Sequence, residues 1–338
     1  MSIEKIYDLI TYGRSSIDLY SANIGSPFVE IEQFNAYVGG SPLNIAVGAS
    51  RLGLKSALLT GVGQDQVGEF LLHFLKKEKV ETRYIGIKPE ARTSAVVLGI
   101  EPPDNFPLVY YRNNCADSQV NIDDVINANI GQFRLMEISA TALNMEPTRS
   151  AAFYAAEEAN KNDVPVLIDL DFRADQWHDA RAFGVTTRAF LRGCKIALGT
   201  EEEILATMLS DPNQIKIKNQ QISAPEIRGN VDEAIRNIMK LGVEVLIVKS
   251  GDKGSKVYLK DGKVIEVPSF PVQVVNVLGA GDAFAAGFIY GYLNGWDWYK
   301  CCRMGNACGA ILVTKPGCSN FNPTLEEAMA FIESKGGF

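Results

Sequence analysis

The sequence predicts an α/β fold, built around a mostly parallel sheet with helices on both faces. Segments typical of strands alternate with segments typical of helices along most of the chain. Several strand segments are apolar throughout, such as Val245–Val248, which is the pattern of a sheet covered on both sides. With 338 residues, 46% of them hydrophobic, the chain can form one sizeable domain or one domain with an appendage.

The alternating pattern sets the order of the expected elements. We expect strands at Lys5–Thr11, Ser56–Gly61, Arg134–Ser139, Val164–Asp169, Cys194–Leu198, Val243–Lys249 and Lys256–Leu259. We expect helices at Pro42–Leu52, Val67–Lys77, Thr148–Asn160, Val185–Leu191, Glu201–Leu209, Val231–Leu241, Gly281–Asn294, Trp298–Val313 and Thr324–Ser334. Parallel strands joined by these helices require right-handed crossovers.

Three segments resemble strands but have no crossover helix between them: Ile17–Tyr20, Phe28–Val38 and Thr93–Tyr111. We interpret them as a small antiparallel sheet that projects from the body as a lid, the alternative being an extension of the main sheet. The polar segment Asp211–Asn230, which contains two prolines, is expected to be a surface loop.

Charge and composition argue against several classes of protein. Lys and Arg number 33 and Asp and Glu 40, a net charge of −7, so we expect no nucleic-acid partner. No apolar run approaches roughly 18 residues, so we expect no membrane span. Met1–Lys5 leads directly into an apolar strand without a signal segment, and we therefore expect a cytoplasmic protein.

Cysteine and histidine usage gives little support for a metal centre or a nucleophilic triad. The only histidines, His73 and His178, are far apart in the sequence. The six cysteines show no C-x-x-C spacing and are expected to be reduced thiols in the core: Cys115, Cys194, Cys301, Cys302, Cys308 and Cys318.

The most distinctive short motif is Gly279–Asp282, followed by a helical pattern up to Asn294. Its two glycines allow backbone N–H groups to point toward one place, where the start of a helix adds partial positive charge. A carboxylate beside such an anion site can take a proton from a hydroxyl while a phosphoryl group is held in front of it. The motif alone is equally compatible with an ordinary turn that has Asp282 as a first-turn acid.

Two glycine-containing segments near the N-terminus follow predicted strands, at the end where α/β proteins bind ligands. In Gly39–Asn44 the paired glycines allow a ligand to approach the backbone, and the Asn amide can bond a polyol or simply cap the helix. Gly13–Asp18 supplies a cation and a carboxylate, which form either a ligand contact or a surface ion pair.

Three later segments also follow predicted strands. Asp169–Arg173 ends in an arginine that can hold a phosphate or a carboxylate, or can pair locally with Asp171. Thr200–Glu203 begins a helix, where acids complement the helix dipole, and its last glutamate can instead reach the water shell of Mg²⁺. Lys249–Gly254 is a turn that either borders a nucleotide or is a plain hairpin turn.

Taken together, these motifs resemble the ribokinase-like (PfkB) family of sugar kinases. The similarity runs nearly end to end and is strongest in four segments: Gly39–Gly53, Gly61–Gly68, Gly279–Gly287 and Val313–Thr324. The resemblance implies a single kinase domain over residues 1–338, built as a three-layer αβα sandwich with a small β-sheet lid. The lid would be formed by about residues 14–40 and 92–113.

Within the family, four segments look like those of the members that phosphorylate 5-dehydro-2-deoxygluconate in inositol catabolism: Gly13–Tyr20, Asn23–Gly25, Asn44–Gly48 and Tyr111–Asp117. Kinases of 2-keto-3-deoxygluconate, another acidic sugar, are the close alternative, and a fructokinase-like kinase of a neutral sugar is the third. A nucleotide or sugar sensor without catalysis on the same fold is the alternative outside the enzymes.

The resemblance also implies roles for individual residues. Asp282 would be the base on the terminal hydroxyl, and Gly279, Ala280 and Gly281 would donate backbone N–H groups to the transferred phosphoryl group. The acceptor sugar would contact Arg14, Asp18, Gly39, Gly40, Asn44, Arg112 and Arg173. The arginines are the candidates for its carboxylate and the phosphate, with solvated lid residues as the alternative for Arg14 and Arg112. The nucleotide would contact Thr200, Lys249, Gly251, Gly254 and Asn306.

Cofactors and partners follow from the same resemblance. ATP would be the phosphoryl donor, Mg²⁺ would bridge its phosphates, and Glu203 would contact the ion through water. A second copy of the chain would pair through the lid sheet. Many relatives have Asp-Thr-Thr where this chain has Asn276, Val277 and Leu278, so the sequence leaves a requirement for K⁺ open.

Overall fold

A nine-stranded sheet forms the middle of the molecule within residues 4–102, 105–217 and 225–338, which are the residues that the computed structural model describes. The strands are β1 (Tyr7–Tyr12), β2 (Ser16–Ser21), β3 (Phe34–Gly39), β4 (Ser56–Gly63), β5 (Ile85–Lys88), β6 (Ser94–Leu98), β7 (Leu108–Tyr111), β8 (Phe133–Ser139), β9 (Val166–Asp169), β10 (Ile196–Thr200), β11 (Ile215–Lys216), β12 (Glu226–Ile227), β13 (Val245–Lys249), β14 (Ser255–Leu259) and β15 (Val264–Val267). The main sheet has the order β15-β14-β13-β10-β9-β8-β1-β4-β5. Pairs from β13 to β5 are parallel, and β14 and β15 add an antiparallel edge.

Helices cover both faces of this sheet. They are α1 (Ser41–Arg51), α2 (Gln66–Lys77), α3 (Ile122–Ala128), α4 (Thr148–Lys161), α5 (Ala180–Leu191), α6 (Glu201–Ala206), α7 (Val231–Lys240), α8 (Ala280–Leu293), α9 (Trp298–Leu312) and α10 (Leu325–Ser334). Because side chains alternate along a strand, Leu9, Leu135 and Leu167 pack toward α1 and α8, whereas Ile10 and Ile168 pack on the other face. The predicted αβα architecture with a mostly parallel sheet is confirmed.

The predicted lid is a separate sheet with the strand order β3-β2-β6-β7. The expectation that it is antiparallel throughout is wrong, because β2 and β6 pair in parallel while the two outer pairs are antiparallel. The registers align Tyr37, Asp18, Val96 and Tyr110 in one row across the lid. Residues in register lie on one side of a sheet, so Tyr37, Val96 and Tyr110 face the same way as Asp18, a predicted site residue.

Several elements differ from the sequence expectation. In the segment Phe28–Val38 the strand begins only at Phe34 and continues to Gly39, and Phe28–Glu30 forms a 3₁₀ turn after a proline. The segment Asp211–Asn230 was expected to be a loop, but it contains the short antiparallel pair of β11 and β12, and residues 218–224 of it lie outside the described residues. Helix α3 and strands β5 and β15 were not predicted.

Two further features concern the cysteines and the apolar character of the helices. All six cysteines are buried and free. No helix among the described residues is both long and apolar enough to cross a membrane.

Candidate active site

The predicted anion-binding segment Gly279–Gly281, called the anion loop from here on, lies at the start of α8. Gly279 has φ +80°, a left-handed conformation that favours glycine, and a Cβ there would lie 2.7 Å from Cys318 Sγ. The helix begins directly afterwards at Ala280, and Ala283 N–H donates to Gly279 O at 2.9 Å. Ala280 N–H donates to Val277 O at 3.3 Å, a long bond that can be exchanged for a charged acceptor.

The carboxylate of Asp282, the predicted base, is half-buried in the first turn of α8. Asn44 Nδ2 on the first turn of α1 donates to its Oδ2 at 2.7 Å. Ser319 Oγ donates to Asn44 Oδ1, which fixes the orientation of this amide. Burial and the nearby charge of Asp171 raise the pKa of Asp282 to about 6, although hydrogen bonds and a nearby lysine oppose the shift. The carboxylate is therefore poised to accept a proton near neutral pH.

Two glycines allow the lid and α1 to pack tightly beside this pair. A Cβ on Gly40, which has φ +107°, would lie 2.2 Å from the carbonyl oxygen of Arg14. A Cβ on Gly39 would lie 2.0 Å from the Asp18 carboxylate. Asp18 accepts from Ser16 Oγ at 2.6 Å, and burial raises its pKa despite the opposing charge of Arg14. The predicted acceptor residues at the base of the lid are thus brought together.

Lys249 lies at the end of β13, between the anion loop and a group of carboxylates. Its Nζ is 3.3 Å and 3.4 Å from the two carboxylate oxygens of Asp169, and 3.2 Å from the position of a Cβ on Gly281. Burial lowers the pKa of Lys249, but Asp169, Glu203 and Asp282 outweigh burial and the net shift is upward. A permanent ammonium therefore stands beside the anion loop.

Arg173 follows β9 and forms a short ion pair with Asp171, at 2.5 Å from Nη2 to Oδ1. Its Nη1 lies 3.8 Å from Glu203 Oε1. Arg173, Arg14 and a hydrogen bond from Ser139 outweigh burial and lower the pKa of Asp171. The local pairing of Arg173 with Asp171, which the sequence left as an alternative, is what the structure shows.

Arg14 and Arg112 are both buried, at 7% and 6% exposure, so neither is a solvated lid residue. Arg14 stacks over the ring of Tyr110 at 5.1 Å. Arg112 Nε donates to Asp117 at 2.6 Å and its Nη1 donates to Gln176 Oε1 at 2.8 Å. Arg14 Nε and Arg112 Nη2 have no hydrogen-bond partner within the described residues. Buried donors in this state take an ordered water or a ligand as their partner.

The three guanidinium groups act on one point of the site. Desolvation raises the pKa of the Asp175 carboxyl, and Arg173, Arg14 and Arg112 each act to lower it. The charges of Arg14 and Arg173 also act to lower the pKa of Tyr110, but burial outweighs them and the net shift is upward. The charges of all three arginines predicted for the acceptor therefore reach the Asp175 carboxyl.

The residues predicted for the nucleotide have structural roles of their own. Thr200 and Glu203 form the capping box of α6, in which Glu203 Oε2 accepts from Thr200 N–H at 2.8 Å. Gly251 and Gly254 have φ of +57° and +90° in the turn after β13. Asn306 Nδ2 donates to Pro268 O at 2.9 Å, which ties α9 to the loop after β15.

Glu137 was not identified by the sequence reasoning. It lies on β8 with 0% exposure, and neither of its carboxylate oxygens has a partner among residues that the structure describes. Burial, followed by the charges of Asp169, Asp282 and Asp171, raises its pKa well above the usual value. A glutamate between the apolar residues Met136 and Ile138 of a strand was the available signal.

Solved structures confirm the fold. A ribokinase II candidate from E. coli, solved with ATP and Mg²⁺, superposes with a TM-score of 0.84, 23% identity and coverage of 97% of this chain and 100% of that one. A double-mutant fructokinase from Vibrio cholerae, solved with fructose, ADP and a potassium ion, has a TM-score of 0.80, 22% identity and coverage of 97% and 99%. The architecture is ribokinase-like.

Sequence comparison defines the class. A 5-dehydro-2-deoxygluconokinase of Clostridium perfringens is 32% identical over 330 residues, covering 97% of this chain and 94% of that protein. One of Bacillus thuringiensis is 34% identical over 328 residues, covering 97% and 95%. The chain is a carbohydrate phosphotransferase. Residues 7–325 match the model of the pfkB family carbohydrate kinases, and the chain belongs to this family, as the motifs predicted.

Proposed function

We propose that this kinase transfers the terminal phosphoryl group of ATP to the terminal hydroxyl of an acidic sugar, with 5-dehydro-2-deoxy-D-gluconate as the leading substrate. The observation that supports an acidic acceptor is the buried pair Arg14 and Arg112, whose Nε and Nη2 have no partner in the described part of the chain. A neutral ketose does not need buried cations, whereas a carboxylate forms charge-assisted bonds with them. The names of the relatives, at 32% and 34% identity, favour the same sugar.

In this proposal Asp282 removes the proton from the attacking hydroxyl. Its pKa of about 6 leaves it ionised at neutral pH while it remains basic enough to accept a proton. Asn44 holds one carboxylate oxygen at 2.7 Å, and in this proposal the other oxygen faces the acceptor. Protonation of this carboxylate below pH 6 therefore lowers activity.

The start of α8 receives the charge that develops on the transferred group. In this proposal the backbone N–H groups of Gly279, Ala280 and Gly281 turn toward the transferred group beside Lys249, whose Nζ lies 3.2 Å from the position of a Cβ on Gly281. Each such donor is typically worth about 3 kcal/mol of barrier lowering. The ammonium adds an opposite charge at the same place. In the conformation described, Asp169 is the partner of Lys249, and we infer that phosphate competes with it for this lysine.

Mg²⁺ would enter with ATP and neutralise charge on its phosphates. The Glu203 carboxylate fits a contact through water, because its Oε1 lies 3.8 Å from Arg173 Nη1, beyond hydrogen-bond distance. Thr200, Gly251, Gly254 and Asn306 would line the nucleotide.

The acceptor residues Arg14, Asp18, Asn44 and Arg112 are at most 7% exposed. A sugar can therefore reach them only if the lid moves away from the body. The row that contains Asp18 and Tyr110 then closes over the bound sugar and excludes water during transfer.

A coupled assay of ADP release over a panel of sugars tests the proposal. We expect the highest kcat/KM for 5-dehydro-2-deoxygluconate, with 2-keto-3-deoxygluconate as the nearest competitor and fructose well below both. If 2-keto-3-deoxygluconate is faster, the acidic class stands and the leading substrate is wrong. If fructose exceeds both acids, the argument from the arginines fails.

We also propose that two copies pair through the outer face of the lid, defined by the row Ala36, Leu19, Val97 and Val109 and the neighbouring Tyr111. Val109 and Tyr111 are 41% and 61% exposed, which is unusual for apolar side chains aligned on one sheet face. Light scattering should give the mass of a dimer for the wild type and of a monomer for Val109→Lys. A monomeric wild type at micromolar concentration would refute this pairing.

A further inference from the structure

The turn that leads into the anion loop is held by a buried side-chain amide. Asn276 is 1% exposed. Its Oδ1 accepts from Leu278 N–H at 3.0 Å, and its Nδ2 donates to Pro316 O at 3.3 Å. Its own N–H donates to Val313 O at 3.1 Å. One asparagine thus joins the turn before α8 to the segment that follows α9.

The orientation of this amide follows from its neighbours. If the oxygen and nitrogen were exchanged, an oxygen would face the carbonyl of Pro316 and an NH₂ group would face the N–H of Leu278. Both contacts would then be repulsive, so the assignment with Nδ2 toward Pro316 is the stable one. The amide presents a donor to a carbonyl oxygen in the interior.

A monovalent cation does not fit the same place. Such an ion needs a shell of oxygen atoms in place of its hydration water. The carbonyl of Pro316 already accepts from Asn276, and the carbonyl of Val313 accepts N–H groups from both Val275, at 2.8 Å, and Asn276. The N–H groups that point at these oxygens would repel a cation, and the neutral amide cannot compensate its charge as an aspartate can.

The hydrogen bonds of Asn276 are important because the turn that they hold supports the anion loop directly. Val277 O accepts from Ala280 N–H at 3.3 Å, and Gly279 packs against Cys318, two residues after Pro316. The turn and the segment after α9 therefore move together. When the turn before α8 is held in place against the segment after α9, the direction of the backbone donors at the start of α8 is fixed as well.

We propose that Asn276 takes the structural place of a monovalent cation, so that phosphoryl transfer by this chain does not depend on K⁺. Asn276 is a positioning residue, since it acts through the anion loop. This inference rests on the proposed role of Gly279–Gly281, but not on the identity of the sugar.

The test compares turnover and melting temperature in KCl, NaCl and tetramethylammonium chloride at about 0.1 M, where ionic strength and screening are matched. For the wild type we expect equal kcat in all three salts and no rise of the melting temperature in KCl. For Asn276→Asp, a carboxylate faces the carbonyl of Pro316, so we expect kcat to fall about tenfold in tetramethylammonium chloride and to recover in KCl.

The matched control is Asn294→Asp, at the other end of α8, where the amide Nδ2 also donates to a backbone carbonyl, that of Tyr290, at 2.8 Å. We expect no cation dependence in this variant. A wild type that K⁺ activates severalfold, or an Asn276→Asp variant that is indifferent to K⁺, overturns the inference. If Asn276→Asp does not fold, the melting temperature of the wild type in the three salts still decides the question, and a rise in KCl alone refutes it.

The failure of this inference can be distinguished from failure of the proposed function. Turnover is measured with whichever sugar of the panel is fastest, and the melting temperature needs no sugar. A wrong substrate assignment therefore leaves both cation measurements valid.

Discussion

The candidate site has two halves, which offer different kinds of group. The half at the start of α8 offers backbone N–H groups of Gly279–Gly281 and a lysine that already has a partner, Asp169. The half beneath the lid offers buried arginine side chains, of which Arg14 and Arg112 keep N–H groups without a partner in the described ranges.

This difference separates chemistry from selectivity. Backbone donors cannot be altered by substituting a side chain, so the phosphoryl half is suited to a step that is common to all acceptors. Side-chain cations recognise a feature that only some sugars possess. Changes in the first half should therefore lower kcat for every sugar, and changes in the second should alter the ranking of sugars.

The largest effect is expected for Asp282→Asn. Loss of the base should lower kcat by about 10²- to 10⁴-fold for acidic and neutral sugars alike, with ATP binding retained. Rapid-quench or coupled turnover assays together with calorimetric titration of ATP measure both quantities. Turnover within a few-fold of the wild type would remove Asp282 from the mechanism.

A stability measurement separates lost chemistry from a lost fold in the same variant. The folded-state pKa of Asp282, about 6, lies above the usual value for an unfolded chain, so ionisation costs the wild type stability as pH rises through this interval. Asp282→Asn carries no such cost. We expect it to melt higher than the wild type at pH 7, and the difference to vanish below about pH 4.

A second effect should divide the sugars. Arg14→Met retains the apolar stem over Tyr110 but removes the charge, so kcat/KM for the acidic sugar should fall about 10- to 100-fold while fructose changes little. Arg83→Met, at a side chain that is 62% exposed, is the control and should change neither sugar. An equal loss for acidic and neutral sugars would contradict a carboxylate contact at Arg14.

The smallest effect is a shift of the pH profile. The acidic limb of kcat/KM for the wild type should lie near pH 6, because activity requires ionised Asp282. Asn44→Ala removes a hydrogen bond that stabilises the ionised form, so the pKa rises and the limb moves up by about one pH unit. Asn294→Ala should leave the limb in place. A limb that does not move would show that Asn44 does not tune the base.

The sequence predicted the central strands and most helices because their apolar periodicity is local. It did not predict α3, a seven-residue helix whose main mark is a capping box between Asn121 and Asp124. The parallel pairing of β2 with β6 joins segments far apart along the chain, and strand propensity carries no information on such a partner.

The same distinction applies to the candidate site. Gly279–Asp282 is a local motif and could be read directly, whereas the contact of Asn44 with Asp282 joins residues 238 positions apart. The burial of Arg14, Arg112 and Glu137 depends on how the lid and the sheet pack, so the sequence could nominate the arginines but could not tell them from solvated residues.

The contact between Gly40 and the backbone of Arg14 limits how the acceptor range can be redesigned. With 2.2 Å between a Cβ at position 40 and the carbonyl oxygen of Arg14, there is no room for a side chain at position 40. A loop grafted from a kinase of different specificity would therefore have to keep a glycine at this position. Exchange of individual side chains at position 14 leaves this contact intact and is the simpler route to new substrates.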